Sequence, residues 1–346
     1  MTSPRRDPAA HPDDAHPDDA HRRRRVLVLG GTGYIGRHVC AAFAAHGHHV
    51  SAVARQLRPL PAGCRLTTMD LASASTEAIG RLFAQQRPDW VVNATGMVWG
   101  MDEQAMLATN TRLTERIVQV LGTAPSSPRL VQFGSTREYA PAAPGTSLDE
   151  DAPLGPIDAY GRSKLAATRA VLTASASGRI SGLVLRVGNV AGPGAPAGSL
   201  LGRCAGQLLA ALDSGRPPVL DLHPLRARRD YLDVRDVAQG VLLAARSPLS
   251  GTVLNLGSGT AVPVRTLVDL LIEASGVPAR VVERLPDGSG PPTRTDIVWQ
   301  QTDAARAAAM LGWRPRRSLR EAVRDFWQEA VTCPDRRRCL RQPFEG

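Results

Sequence analysis

Lys164 is the only lysine among 346 residues that include 41 arginines, and it follows Tyr160 by four positions. A position that keeps lysine where arginine is used everywhere else needs more than positive charge. It needs a compact ammonium with three rotatable donors on a flexible stem, which the rigid guanidinium fork cannot imitate. The segment Tyr160-Gly161-Arg162-Ser163-Lys164 places phenol and ammonium on one face of a helix. A nearby cation favours the phenolate, so a tyrosine that normally titrates near pH ~10 becomes an acid/base usable at neutral pH. Exposed helix pairs share this spacing, so the surrounding residues decide.

A second cluster lies near the start of the chain. Gly30-Gly31-Thr32-Gly33-Tyr34-Ile35-Gly36 directly follows the apolar run Val26-Leu27-Val28-Leu29. Glycines spaced as Gly30, Gly33 and Gly36 permit a tight turn, close backbone approach to a pyrophosphate and tight helix–strand packing. A helix N-terminus then offers amides and dipole to the phosphates. A dinucleotide is the expected ligand. Its kind depends on the end of the second strand, where an acid would take the adenosine ribose hydroxyls. Ala54-Arg55 stands there instead, with no acid before Asp70. Arginine matches a 2′-phosphate, so NADP(H) is preferred. NAD(H) is the alternative, with Arg55 then an ordinary surface residue. Asp70-Leu71 suits an adenine contact.

Alternating elements must position these groups. Buried-type strands are expected at Val26–Leu29, His49–Ala54, Arg65–Met69, Trp90–Asn93, Leu130–Phe133 and Leu183–Leu185. Helices are expected from the glycine turn to about His46, over 75–86, over 102–121 and over about 158–176. Strand and helix in alternation imply an α/β fold, a Rossmann-type doubly wound parallel sheet. Texture changes after Gly188, which suggests a smaller C-terminal substrate-binding lobe. The expected organisation is a disordered tail over 1–24 with a tandem HPDDA repeat, a dinucleotide-binding domain over 25–188, a mainly substrate-binding lobe over 189–332, and a polar tail over 333–346.

Bulk properties narrow the function. Net charge is +10, with ten arginines and four acids between Arg306 and Arg341. No aromatic or groove-reading pattern accompanies them, so no nucleic-acid partner is expected. A solvated basic surface and arginines for anionic ligands account for the excess. No run of ~18 apolar residues is present, so no membrane span is expected. The N-terminus lacks an apolar signal core, and the cytoplasm is the expected location. Cys40, Cys64, Cys204, Cys333 and Cys339 lack metal-type spacing, so no metal is expected and free thiols are.

From Val26 to about residue 330 the chain resembles the extended short-chain dehydrogenase/reductase family, of the NAD-dependent epimerase/dehydratase type. The resemblance rests on the glycine turn at 30–36, Asp70-Leu71, Asn93-Ala94-Thr95-Gly96, Asn110, Gly134-Ser135-Thr136 and the Tyr160–Lys164 pair. Later come Leu185-Arg186-Val187-Gly188-Asn189, Arg229-Asp230-Tyr231, Asn255-Leu256-Gly257-Ser258-Gly259 and Leu311-Gly312-Trp313. It implies a catalytic set of Ser135, with Thr136 as fallback, Tyr160 and Lys164. It implies cofactor contacts from Gly30, Thr32, Gly33, Tyr34, Ile35, Gly36, Arg55, Asp70, Leu71, Asn93, Ala94, Thr95, Asn110, Tyr160 and Lys164. It also implies a nucleotide-sugar substrate held by Asn189, Arg229 and Arg294, with surface arginines the plainer alternative. Met97 to Met101 either wall the sugar pocket or fill the core. A homodimer through the helices 102–121 and 158–176 is implied as well.

Departures from the family pattern bear on the reaction. Dehydratases of this family place Asp-Glu immediately after the catalytic threonine; this chain has Thr136-Arg137 there and Glu138 one step late. Arginine cannot be the required acid, so dehydration is not expected. Arg55 favours exchangeable NADPH and net reduction of a nucleotide-activated 4-keto-6-deoxyhexose, in deoxysugar or antibiotic pathways that fit the arginine-rich composition by association. The alternatives are a nucleotide-sugar epimerase retaining NAD, a dehydrogenase of a non-sugar ketone or alcohol, and a non-catalytic dinucleotide sensor.

Overall fold

The computed structural model describes residues 22–96, 103–284 and 297–341. The HPDDA repeat, Met97 to Met101 and Arg294 lie outside the described residues. Along the chain, β1 (Arg25–Leu29) leads through the glycine turn into α1 (Tyr34–Ala45), followed by β2 (His49–Ala54), β3 (Cys64–Thr68), α2 (Thr76–Gln86) and β4 (Trp90–Asn93). A continuous rod follows: α3 (Glu103–Met106), a π-helical stretch (Leu107–Arg112) and α4 (Leu113–Thr123). β5 (Arg129–Ser135) ends in a 3-10 turn (Thr136–Glu138), and β6 (Ser147–Leu148), α5 (Ala159–Ala176) and β7 (Gly182–Val187) come next. The second half adds β8 (Asn189–Ala191), α6 (Leu200–Ser214), β9 (Val219–Leu222), β10 (Arg228–Asp233), α7 (Val234–Arg246) and β11 (Val253–Leu256). It closes with β12 (Ala261–Pro263), α8 (Val264–Ser275), β13 (Arg280–Glu283), β14 (Trp299–Thr302), α9 (Ala305–Leu311), α10 (Leu319–Thr332) and α11 (Pro334–Arg341).

Seven strands form the main sheet in the order β11-β7-β5-β4-β1-β2-β3, all parallel. Successive side chains of a strand point to opposite faces, and β1 shows the result. Val26 and Val28 join Phe43 of α1 and Val241 of α7 on one face. Leu27 and Leu29 join Ile79 of α2 and Ile117 of α4 on the other. Burial on both faces is why the strands read as continuous apolar runs. The order reverses between β1 and β4, so their carboxyl ends flank the switch point at which such sheets bind ligands.

Three features differ from the sequence-based expectation. The helix expected over 102–121 carries a π-helical turn in its middle. The halves also interleave: β11 and α7, beyond residue 188, complete the main sheet and its α1 face, while β6 pairs with β14 of the second lobe. That lobe has its own apolar core around α6, α8 and α10. Finally, the polar stretch after Cys333 forms α11, which docks because Leu340 is buried in that second core. Among the described residues, no helix is long and apolar enough to cross a membrane, and all five cysteines are free thiols.

Asp230 ties the second lobe's sheet together. Its buried carboxylate accepts from the Ser258 amide (2.7 Å) and hydroxyl (2.6 Å), the Gly259 amide (3.0 Å) and the Thr302 amide (3.1 Å). Asp230→Ala should lower stability by about 3 kcal/mol, because buried donors are left without an acceptor. The urea midpoint checks this; a variant as stable as the parent would refute it.

Candidate active site

The glycine turn forms a cradle that side chains could not enter. Gly30, at φ +78°, leaves β1 with its amide on the Val53 carbonyl at 2.8 Å. A Cβ there would stand 2.9 Å from the Ala94 carbonyl oxygen, and a Cβ on Gly36 would overlap the Gly30 oxygen outright. α1 starts at Tyr34 with Gly33 as its N-cap, and no side chain caps that end from the N-cap position. Thr32 sits in the turn, and Ile35 packs against the core. The Tyr34 hydroxyl donates to the Gly192 carbonyl of the second lobe at 3.4 Å.

Across the switch point, Asn93 ends β4 fully buried. Its amide donates to Gln132 Oε1 (2.9 Å) and Thr114 Oγ1 (3.3 Å), while its oxygen accepts from the Thr95 amide and hydroxyl (3.2 and 2.5 Å). This holds Ala94 and Thr95 facing the glycine turn. Asn110 lies in the π-helical stretch and donates to Ser163 Oγ at 2.9 Å. Its buried Oδ1 has no hydrogen-bond partner among the described residues. That oxygen lies 2.7 Å from where a Gly96 Cβ would stand, and Lys164 Nζ lies 3.8 Å from the same point. A side-chain-free cradle, an uncapped helix N-terminus and an orphan acceptor beside a lysine fit a dinucleotide.

The candidate catalytic residues lie at the end of β5 and in the first turns of α5. Ser135 closes its own turn: its Oγ accepts from the Arg137 amide (3.2 Å), and its amide donates to Glu138 Oε1 (2.8 Å). Thr136 Oγ1 instead accepts from Gln300 Nε2 of β14 at 2.9 Å. Asp158 caps α5 by accepting from the Gly161 amide at 2.7 Å, and it pairs with Arg137. The Arg137 guanidinium lies 5.6 Å from the Tyr160 ring centre. One turn further, Lys164 is 3% exposed. Burial pushes its pKa down to about 8, opposed by the charge of Glu138. The π-helical turn supports this helix: Thr111 Oγ1 donates to the Ser163 carbonyl at 2.9 Å, beside the Asn110 contact. Inserting one residue into a helix rotates its face, which lets adjacent residues 110 and 111 both reach Ser163.

Asn189 and Arg229, two of the residues expected to hold the substrate, lie on the second lobe's strands β8 and β10. Asn189 donates to the Asp230 carbonyl (3.2 Å) and Gln300 Oε1 (3.0 Å). Buried Arg229 stands beside Gln300 in register and donates to the Arg228 carbonyl at 3.0 Å. Arg55 follows β2 and is exposed. Asp70 is also exposed, its carboxylate accepting from the Ala72 amide and Ser73 hydroxyl, while Leu71 is buried. Sequence reasoning misses Gln300, which bridges Thr136 and Asn189, and Thr168, which bonds Glu138. Neither belongs to a spaced motif. Glu138 itself stands in the sequence only as an acid out of place.

The model described as the NAD dependent epimerase/dehydratase family matches residues 26–257. The chain is 46% identical over 311 residues to the dTDP-6-deoxy-L-talose 4-dehydrogenase (NAD(P)(+)) of Kitasatospora kifunensis, covering 90% of this chain and 96% of that protein. It is 30% identical to a UDP-glucose 4-epimerase of Azospirillum brasilense, over 86% and 89% of the two chains. The Thermus thermophilus UDP-glucose 4-epimerase complex with NAD superposes with a TM-score of 0.77 at 25% identity, covering 89% of this chain and 99% of that one. The chain belongs to the NAD-dependent epimerase/dehydratase family and is an NAD(P)-dependent oxidoreductase of the extended short-chain dehydrogenase/reductase type.

Proposed function

We propose that the protein reduces the 4-ketone of a nucleotide-activated 4-keto-6-deoxyhexose with NADPH. One observation carries this: the 46% likeness, over nearly all of both chains, to a 4-dehydrogenase of a dTDP-6-deoxysugar. Reduction of a 4-ketone is that oxidation run backwards. Backbone and side chains of Gly30, Thr32, Gly33, Tyr34, Ile35 and Gly36 would hold the dinucleotide, with Asp70, Leu71, Asn93, Ala94, Thr95 and Asn110 around it and Arg55 on a 2′-phosphate. Asn189, Arg229 and Arg294 would hold the nucleotide diphosphate.

When bound, the dinucleotide supplies a hydride to the carbonyl carbon. Tyr160 gives its phenolic proton to the carbonyl oxygen, and Lys164 stabilises the phenolate left behind while holding the nicotinamide ribose. The Ser135 hydroxyl donates a hydrogen bond to the same oxygen. Ketone, hydride and proton together make one secondary alcohol, and solvent returns the tyrosine's proton. Thr136 is the second reading for the hydroxyl, favoured by its contact with Gln300 between the lobes. A redox-neutral nucleotide-sugar epimerase is the second reading for the reaction, favoured by the likeness to UDP-glucose 4-epimerase. A homodimer through the helices over 102–121 and 158–176, by fold-level analogy, a cytoplasmic location and a place in deoxysugar or antibiotic biosynthesis complete the proposal.

Mixing protein, NADPH and a dTDP-4-keto-6-deoxyhexose should consume NADPH in step with ketone; an isomerised sugar without net oxidation would make the epimerase reading correct. Arg55→Ala should raise KM for NADPH about tenfold and leave KM for NADH alone. Tyr160→Phe should lower kcat by about 10²–10⁴-fold, the usual worth of a general acid. Ser135→Ala should cost kcat about 10²-fold and Thr136→Val far less; the reverse order would move the donor role to Thr136. With Lys164 at about pH 8, kcat/KM of the reduction should fall as pH rises through that value. The folded value lies below that of a free lysine, ~10.4. The folded protein therefore loses this proton first, and the group's contribution to stability should rise between those two pH values.

A further inference from the structure

Glu138 is fully buried in the turn after β5. Its Oε1 accepts from the Ser135 amide at 2.8 Å and from Thr168 Oγ1 at 3.0 Å. Its Oε2 accepts from Arg186 Nε at 2.8 Å. Thr168 follows Lys164 by four residues on α5, so the two share a face. The carboxylate thus reaches the serine turn with one contact and the lysine's face of α5 with another. Arg186 is itself held behind it, donating to Tyr139 Oη at 3.0 Å.

A buried ammonium needs an anion to remain charged. The charge that acts on Lys164 is that of Glu138 in the turn; Tyr160 and the Asp158–Arg137 pair stand at the head of the lysine's own helix, and Arg186 and Tyr139 are bonded beyond Glu138. The π-helical stretch contributes the uncharged Asn110 amide. Glu138, although paired with Arg186, is the carboxylate whose charge acts on Lys164, and its Thr168 contact places it one turn along the same face of α5.

We propose that Glu138 is the counter-ion of Lys164 and the anchor of the Ser135 turn, a positioning residue that touches neither substrate nor cofactor. The proposal rests on the Tyr160–Lys164 reading of the site, and its test does not depend on turnover. With one lysine in the chain, protein grown on ¹³Cε-lysine carries a single labelled side chain, and its carbon shift against pH titrates Lys164 directly in the ligand-free protein. Glu138→Gln keeps the shape and an amide oxygen for the Ser135 amide but removes the charge. The Lys164 midpoint should fall by about one pH unit or more, the ordinary effect of losing a close opposite charge. Glu138→Asp should restore most of it. A Glu138→Gln midpoint within about 0.3 units of the parent would show a purely structural ion pair with Arg186 and overturn the proposal. Should Glu138→Gln fail to fold, Arg186→Met against Glu138→Gln/Arg186→Met measures the same difference without a stranded guanidinium, and the same two outcomes decide. With NADPH and the ketosugar, the basic limb of kcat/KM should move down by the same interval. Absence of turnover with that sugar would count against the proposed substrate, while the lysine titration still decides the role of Glu138.

Discussion

An ammonium sealed from water must be given an anion and acceptors, or it surrenders its proton. Much of the architecture around Lys164 follows from that requirement. Glu138 can lie buried beside α5 because Arg186, Thr168 and the Ser135 amide occupy its oxygens. Arg186 in turn bonds the Tyr139 hydroxyl, which donates to Asn255 on β11 at 2.8 Å. The Asn255 amide nitrogen then reaches the carbonyls of Leu148 and Asp303. The buried Glu138–Arg186 pair thereby joins β5, α5, β7 and β11 in a single polar chain.

The second lobe is attached at several places where reacting groups would lie. Gln300 holds Thr136 on one side and Asn189 on the other. Tyr34 reaches Gly192 from the glycine turn, and Arg37 of α1 pairs with Glu329 of α10. Glu329 also accepts from the amide of Gly194. The glycine turn and the second lobe are therefore registered by direct polar contacts rather than by apolar packing alone.

What is legible in the sequence and what is not divides along physical lines. The glycine turn is legible because close backbone approach excludes every other residue, as the overlap a Cβ at Gly36 would create shows. The strands are legible because burial on both faces leaves only apolar choices. Lys164 announces itself by its solitude. The π-helical turn is not legible, since one inserted residue barely disturbs an apolar periodicity spread along a long helix. Gln300 meets Thr136 across 164 residues of chain, and a neutral amide carries no spacing rule. Glu138 looks like a misplaced acid because its partners, Arg186 and Thr168, come from elements that only the fold brings together.

The interleaving of the two halves sets an order on synthesis. All six residues of β7 are buried in the finished sheet, between β5 and β11. β7 ends at Val187 and β11 begins at Val253, so a ribosome must deliver the whole of β8 through α7 before that edge is covered. During this interval an apolar parallel strand offers its unpaired amides and carbonyls to any neighbouring nascent chain. The crossover that brings Asn255 to Tyr139 thus leaves the half-made protein with an uncovered strand edge, and slow translation of this stretch would lengthen its exposure.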